Sequence, residues 1–216
     1  MLMIKHILFD LDNTLYSKSL KLEIGVEHRV IQFTADYLNI SLEEAREERK
    51  KNVLLRYGTT IQWLTEEKAF TDIEGYYSFI HPENEGEHIR PDPELRRFIE
   101  GLPVPYTILT NSPMNHAVCI LERLGVLDLF PRIIDIRRNG LVGKPHASAY
   151  RTALGAAEAE PETTLFIDDA PSYIEGYLRL GGRGILIDEF DEYQDWPHER
   201  IRKLEEIHQF FDVPAV

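Results

Sequence analysis

Five short apolar runs, each closing in a polar or acidic loop, constrain this 216-residue chain more than any other feature. They are Ile4 to Phe9, Tyr106 to Leu109, Ile133 to Ile136, Thr164 to Ile167 and Gly184 to Ile187. Unbroken apolar runs, rather than alternating ones, predict parallel strands covered on both faces. Helical segments lie between them: Asn115 to Leu124 ahead of Gly125, Ala147 to Ala157 ahead of Pro161, and Pro171 to Leu180 ahead of Gly181-Gly182. Glycine just past a helix supplies the left-handed cap that ends it. Strand and helix in repetition predict a doubly wound, Rossmann-like α/β parallel sheet.

One block breaks the alternation. From Leu20 to Ile89 there is no strand pattern, only helical signals. Val26, Val30, Phe33 and Tyr37 share one helical face. Ser41 with Glu44, and Thr71 with Glu74, read as capping boxes. Glu43 to Lys51 is densely charged and reads as a solvated helix face with ion pairs one turn apart. The block ends at Pro91-Asp92-Pro93, where Asp92 can cap the next helix and Pro93 can open it. The predicted organisation is therefore a core of residues 1–19 and 90–216, with 20–89 inserted as a helical cap. A last helix is expected around His198 to Phe211.

Charge narrows the partners. A net charge of −13 disfavours nucleic-acid polymers and anionic membranes, whose binding is led by lysine and arginine clusters. A small anionic substrate stays open, because a metal ion and one or two cations can reverse the field inside a cleft. The run from Met1 to Phe9 is too short for a signal peptide, and no stretch has the length to cross a bilayer, so a cytoplasmic location is expected. The single cysteine, Cys119, fits a reducing compartment and reads as a small buried hydrophobe on a helix.

Candidate chemistry sits where the runs end. Asp10 and Asp12 follow the first run, and residues two apart in an extended segment point the same way. Two close carboxylates need a counter-charge or a shared proton, which suits a hard divalent cation or a general acid, although turn-forming acids after a strand are also common. The second run ends in Thr110-Asn111-Ser112, a phosphate-binding loop or an ordinary helix N-cap. Lys144-Pro145 follows the third, as a site cation or a solvated lysine. Asp168-Asp169 follows the fourth, as metal ligands or as acids favouring a helix N-terminus. Together they occupy the carboxyl edge of successive parallel strands, where open α/β sheets bind ligands.

In these pieces, in order and context, the chain resembles the haloacid dehalogenase-like hydrolase superfamily: Asp10-x-Asp12-x-Thr14, Thr110, Lys144-Pro145 and Asp168-Asp169. The resemblance spans essentially the whole chain, with the insertion in the place of a type 1 cap. It implies strand order 5-4-1-2-3, which gathers Asp10, Asp12, Thr110 and Asp168. It also implies a phosphatase in which Asp10 is the nucleophile and Asp12 the general acid and base. Lys144 would steady Asp10 and the transferring phosphoryl group, and Thr110 and the Asn111 amide would bind its oxygens. Magnesium would be held by Asp10, the Asp12 backbone carbonyl and Asp168, with Asp169 ligating directly or through water. Asn13 departs from the glycine usual between Asp12 and Thr14. Asp12 speaks against the dehalogenase branch, which lacks this second acid.

Phe9 to Tyr16 and the stretch Arg56-Tyr57-Gly58-Thr59-Thr60 resemble the pyrimidine 5′-nucleotidase branch. That implies a small phosphorylated metabolite as substrate, with Tyr57 contacting a base, although Tyr57 is also readable as a packing residue. Sugar-phosphate or phosphoglycolate phosphatases and phosphomutases share the motifs, and so would a catalytically silent binding protein on this fold. Oligomeric state is not encoded in any of these features.

Overall fold

The computed structural model describes residues 3–211, the side chains of Leu54 and Leu55 excepted. Residues 1–2 and 212–216 of the expected core range lie outside it. Six parallel strands form one sheet in the order β3-β2-β1-β4-β5-β6, from β1 (His6–Phe9), β2 (Tyr106–Leu109), β3 (Ile133–Ile134), β4 (Thr164–Asp168), β5 (Arg183–Ile187) and β6 (Arg200–Ile201). Read from its other edge, this is the expected 5-4-1-2-3 order with one strand added.

Side-chain alternation along each strand feeds two apolar layers. Ile7, Phe9, Ile108, Ile167 and Ile185 face one way, against α5 (Pro93–Glu100) and α6 (Met114–Leu124). Leu8, Leu109, Phe166 and Leu186 face the other way, against α7 (Ala147–Ala157) and α8 (Pro171–Leu178). Both faces are covered, which is why the strands read as continuous apolar runs. The helix boundaries follow their caps. The Asp92 carboxylate accepts from the backbone N–H groups of Glu94 and Leu95, both at 2.9 Å, with Pro93 in the first turn. Gly125 closes α6 in the left-handed conformation.

Between β1 and α5 the chain is helical: α1 (Leu22–Leu38), α2 (Leu42–Asn52), a π-turn Val53–Tyr57, α3 (Thr60–Glu67) and α4 (Ile73–Ile80). These helices bury a cluster of their own around Val30, Trp63, Leu64, Phe70, Tyr76 and Tyr77, which reaches the sheet's loops through Ile136. The Ser41–Glu44 capping box is present. The expected Thr71–Glu74 box is not, because Asp72 takes the N-cap and accepts from Gly75 N–H at 2.9 Å. A carboxylate in that position bonds the first turn and also complements the helix dipole.

The expected terminal helix is replaced by β6 and a 3-10 helix over Leu204–Phe210. Arg183 and Glu199 form a two-pronged ion pair at 2.8 and 2.6 Å, and Arg200 donates to Asp188 at 2.7 Å. These ties lay Arg200 and Ile201 beside Leu186 and Ile187. Cys119 is half-buried and accepts from the Arg123 guanidinium at 3.2 Å, so it is less enclosed than expected. No helix among the described residues is long and apolar enough to cross a membrane.

Candidate active site

The site is built at the carboxyl edge of β1, β2 and β4. Asp10 leaves β1 still bonded to the sheet, its N–H donating to Ile167 O at 2.9 Å. The chain then turns through Asn13, whose φ of 59° lies in the left-handed region. Glycine or asparagine suits that conformation, which accounts for Asn13 where the family pattern usually has glycine. The turn returns Thr14 to Asp10, and the Thr14 hydroxyl donates to Asp10 Oδ2 at 3.2 Å.

Asp10 and Asp12 face different groups across this turn. Lys144 Nζ lies 2.6 Å from Asp10 Oδ1 and 2.6 Å from Asp168 Oδ2, with the lysine fully buried. Phe166 and Tyr173 flank the ammonium, their ring centroids 5.4 and 5.0 Å away. The loop carrying Lys144 is clamped by the Asn111 side chain, which accepts from Lys144 N–H at 2.7 Å and donates to Lys144 O at 3.0 Å. Gly143 makes the clamp possible, because a Cβ there would collide with the Asn111 amide. Thr110 is buried, its hydroxyl accepting from Ser112 N–H at 3.0 Å.

Asp168 and Asp169 complete an acidic cluster with Asp10, whose ligand oxygens lie within 4.8 Å of one another. Burial, with Lys144 opposing, raises the Asp10 and Asp168 carboxyls above the ordinary range. Burial and the Asp10 charge push Asp169 up to about 7. Burial works against the Lys144 ammonium, but the two carboxylates hold it protonated well above the usual lysine range. Three carboxylates against one ammonium leave the ionised cluster two negative charges in excess. A hard divalent cation bound by oxygen donors restores neutrality, and the residues present fit such an ion.

Asp12 turns the other way. Its Oδ1 accepts from His116 Nε2 at 2.7 Å and from the Tyr16 hydroxyl at 2.8 Å, and its Oδ2 accepts from the Ser112 hydroxyl at 2.7 Å. The Asp12 side chain is thus engaged by these donors and stands apart from the acidic cluster. Although burial opposes it, His116, Ser112 and Tyr16 hold the Asp12 carboxyl well below the usual range.

Sequence reasoning missed what lies behind Asp12. The other ring nitrogen of His116 is 2.8 Å from Glu85 Oε2, the same oxygen that His81 Nδ1 meets at 2.6 Å, and Arg29 pairs with Glu85 Oε1. A carboxylate only accepts, so both histidine nitrogens donate to Glu85. Burial disfavours a charged His116, yet Asp12 and Glu85 on either side push it up to about 10. Glu85 in turn is held down to about 2 by its histidine partners, against its burial. A local signal that could have led there is His116 in the first turn of α6, four residues after Ser112 in the loop that follows β2. The partners Arg29, His81 and Glu85 come from distant parts of the chain.

Tyr57 is 4% exposed within the insertion's apolar cluster. Its hydroxyl donates to Glu67 Oε1 at 2.7 Å and the Arg56 guanidinium lies over its ring. This burial favours the packing reading of Tyr57 over contact with a base. Its backbone does meet the core: His146 Nε2 is 3.0 Å from Tyr57 O. Next to it, Gly58 (φ 77°) leaves little room for a side chain against Lys144 O. Beside this junction lies a cavity of about 330 Å³ lined by Arg56, Gly58, His146, Ser172 and Tyr173 among others.

Comparison with known proteins shows the family. The family of haloacid dehalogenase-like hydrolases matches residues 4–181. The chain belongs to that family. It is 27% identical over 219 aligned residues to phosphate metabolism protein 8 of Saccharomyces cerevisiae, covering 95% of this chain and 68% of that protein. It is 33% identical over 91 residues to validoxylamine A 7′-phosphate phosphatase of Streptomyces hygroscopicus subsp. limoneus, covering 41% of each chain. In fold it is similar to a haloacid dehalogenase-like phosphatase from Thermococcus onnurineus, with a TM-score of 0.64, 20% identity, and coverage of 99% of this chain and 100% of that one. The expectation of a phosphatase enzyme is met by this membership and these relatives.

Proposed function

We propose that this haloacid dehalogenase-like enzyme is a magnesium-dependent phosphomonoester hydrolase working through an aspartyl phosphate on Asp10. The observation that carries the reading is the division of labour around Asp10. One side holds Lys144, Asp168 and Asp169, and the other presents an acid, Asp12, braced by its own donors. Nucleophile and proton carrier thus have different partners, and the Asp12 charge adds to burial in raising the Asp10 carboxyl, so the environments of the two acids differ.

Asp10 attacks phosphorus and the bond to the leaving oxygen breaks. Asp12 delivers a proton to that oxygen. Its donors keep resting Asp12 ionised, and the approach of an anionic phosphate favours its protonated form by like-charge repulsion. Asp12 then takes a proton from the water that attacks the aspartyl phosphate, which frees Asp10 and leaves Asp12 protonated, as in the substrate complex; when phosphate departs, Asp12 returns that proton to solvent. Lys144 balances charge on Asp10 and on the transferring group, while Thr110 and the Asn111 backbone amide bind phosphoryl oxygens. Asp10, Asp168 and the Asp12 backbone carbonyl would hold magnesium, with Asp169 ligating directly or through water, and the ion would supply neutralising charge for the phosphoryl oxygens.

Phosphate and metal recognition are common to all phosphomonoesters, so selection falls to residues 20–89, acting as a cap. We favour pyrimidine nucleoside 5′-monophosphates on the resemblance at Phe9 to Tyr16 and Arg56 to Thr60. Arg56 and His146, on the cavity beside the junction, are better placed than buried Tyr57 to meet a leaving group. A screen of UMP, CMP, sugar phosphates and phosphoglycolate in magnesium tests this. Chelation is expected to stop turnover and magnesium, but not zinc, to restore it. Full activity after exhaustive metal removal contradicts the metal role, and failure to cleave UMP or CMP while other esters turn over removes the nucleotidase reading.

A further inference from the structure

We infer that His116 is a positioning residue for Asp12, and that it is anchored through Glu85 to the helical insertion. The inference rests on the general-acid role proposed for Asp12 and adds the device that aims it. A carboxylate on a short side chain has two oxygens and a freely turning terminal torsion, and only one oxygen can face the leaving group. Here Oδ1 is pinned twice, by His116 Nε2 at 2.7 Å and by the Tyr16 hydroxyl at 2.8 Å. Oδ2 meets only the Ser112 hydroxyl, a rotor able to redirect its proton. Oδ2 is therefore the oxygen that exchanges a proton with substrate and water, and Oδ1 is its hinge.

His116 can act as a hinge because it is itself fixed. It is 4% exposed on α6, and its second nitrogen donates to Glu85 Oε2 at 2.8 Å. Glu85 cannot swing away, since His81 donates to the same oxygen and Arg29 of α1 grips the other. Arg29 is held in turn by Ile80 O, accepting from its Nε at 2.7 Å. The chain Arg29–Glu85–His116–Asp12 alternates cation and anion. It runs from the insertion to the acid without needing a metal ion, because Glu85 already accepts from three nitrogen donors. Preorganisation of this kind saves the acid from reorienting in the transition state.

A positioning role of this kind predicts a leaving-group signature that a merely structural role does not. The test measures kcat/KM for a series of phosphate monoesters running from 4-nitrophenyl phosphate, whose leaving group needs little protonation, to simple alkyl phosphates, which depend on it. His116→Leu should lower kcat/KM on alkyl esters about 10–100-fold more than on 4-nitrophenyl phosphate. His116→Gln, which can keep a donor towards Asp12, should recover part of that difference. Glu85→Gln should shift the series in the same direction by less, and it keeps the test open if His116→Leu fails to fold. Equal losses on every ester, or none, in His116→Leu and Glu85→Gln overturn the inference. Asp12→Asn in the same series separates the two levels. A flat response there removes the acid role itself, whereas a steep response in Asp12→Asn with a flat one at His116 and Glu85 removes only the positioning.

Discussion

Asp10→Asn is expected to abolish turnover, a loss of at least about 10⁴-fold, while the protein stays folded. The amide offers no nucleophile, and the cluster loses one of the three carboxylates that fit a divalent ion. Folding should survive because Asp10 is strained in the opposite sense. Burial raises its carboxyl despite Lys144, so a neutral side chain of the same shape relieves a cost rather than creating one. Lys144 keeps its second partner, Asp168, at 2.6 Å. In metal-free buffer the melting temperature should therefore match or exceed that of the wild type. Activity within tenfold of wild type would exclude Asp10 as nucleophile, and a collapsed melting temperature would show that its charge is structural.

Lys144→Met has the largest expected effect on stability. The lysine is the one cation within hydrogen-bonding distance of Asp10 and Asp168 among the described residues, and all three groups are buried. Removing one partner of a buried ion pair typically costs about 3–5 kcal/mol. Here the orphaned carboxyls escape part of that cost by taking up protons. Their folded-state pKa values, already raised, rise further above the unfolded value of about 3.9. The folded variant then binds more protons than the unfolded chain, so its stability increases as pH falls from 7 towards 4. Magnesium should restore part of the loss at pH 7 by replacing the missing positive charge. Urea midpoints at pH 7 and pH 5, with and without magnesium, test this. A deficit that does not change with pH or magnesium would mean that lost packing, not lost charge, destabilises the variant. Turnover should fall by roughly 10²-fold or more, since charge on the transferring group goes uncompensated.

Much of this arrangement is legible in the amino-acid sequence because local physics places it. The runs at Ile7 to Phe9 and Leu165 to Ile167 are apolar on both faces and close on Asp10 and Asp168, so strand and site residue are read from the same few positions. Caps at Asp92 and Gly125 announce helix ends for equally local reasons. The failures are all tertiary. A two-residue strand at Arg200–Ile201 has no periodicity to read, and its place is fixed by the ion pairs of Glu199 with Arg183, which opens the preceding strand, and of Arg200 with Asp188, just past that strand's end. Tyr57 lies in a loop-like stretch rich in polar residues, yet the π-turn rolls it into the insertion's core. Glu85 sits in an acidic, proline-containing connection that reads as solvated loop, and only folding brings Arg29, His81 and His116 around it. Asp10 and Asp12, two positions apart, take different partners: the turn at Asn13 gives one a lysine and its acidic neighbours and the other a histidine, which no local pattern shows.

The aspartyl phosphate is the claim on which the remaining roles depend, and mass spectrometry of enzyme quenched in acid during turnover tests it most directly. Acid preserves an acyl phosphate long enough for the modified peptide to be sequenced. The expected result is one added phosphoryl group on Asp10, formed only with substrate and metal present and absent from Asp10→Asn. A phosphoryl group on another residue, or steady turnover with no covalent species at any quench time, would contradict it.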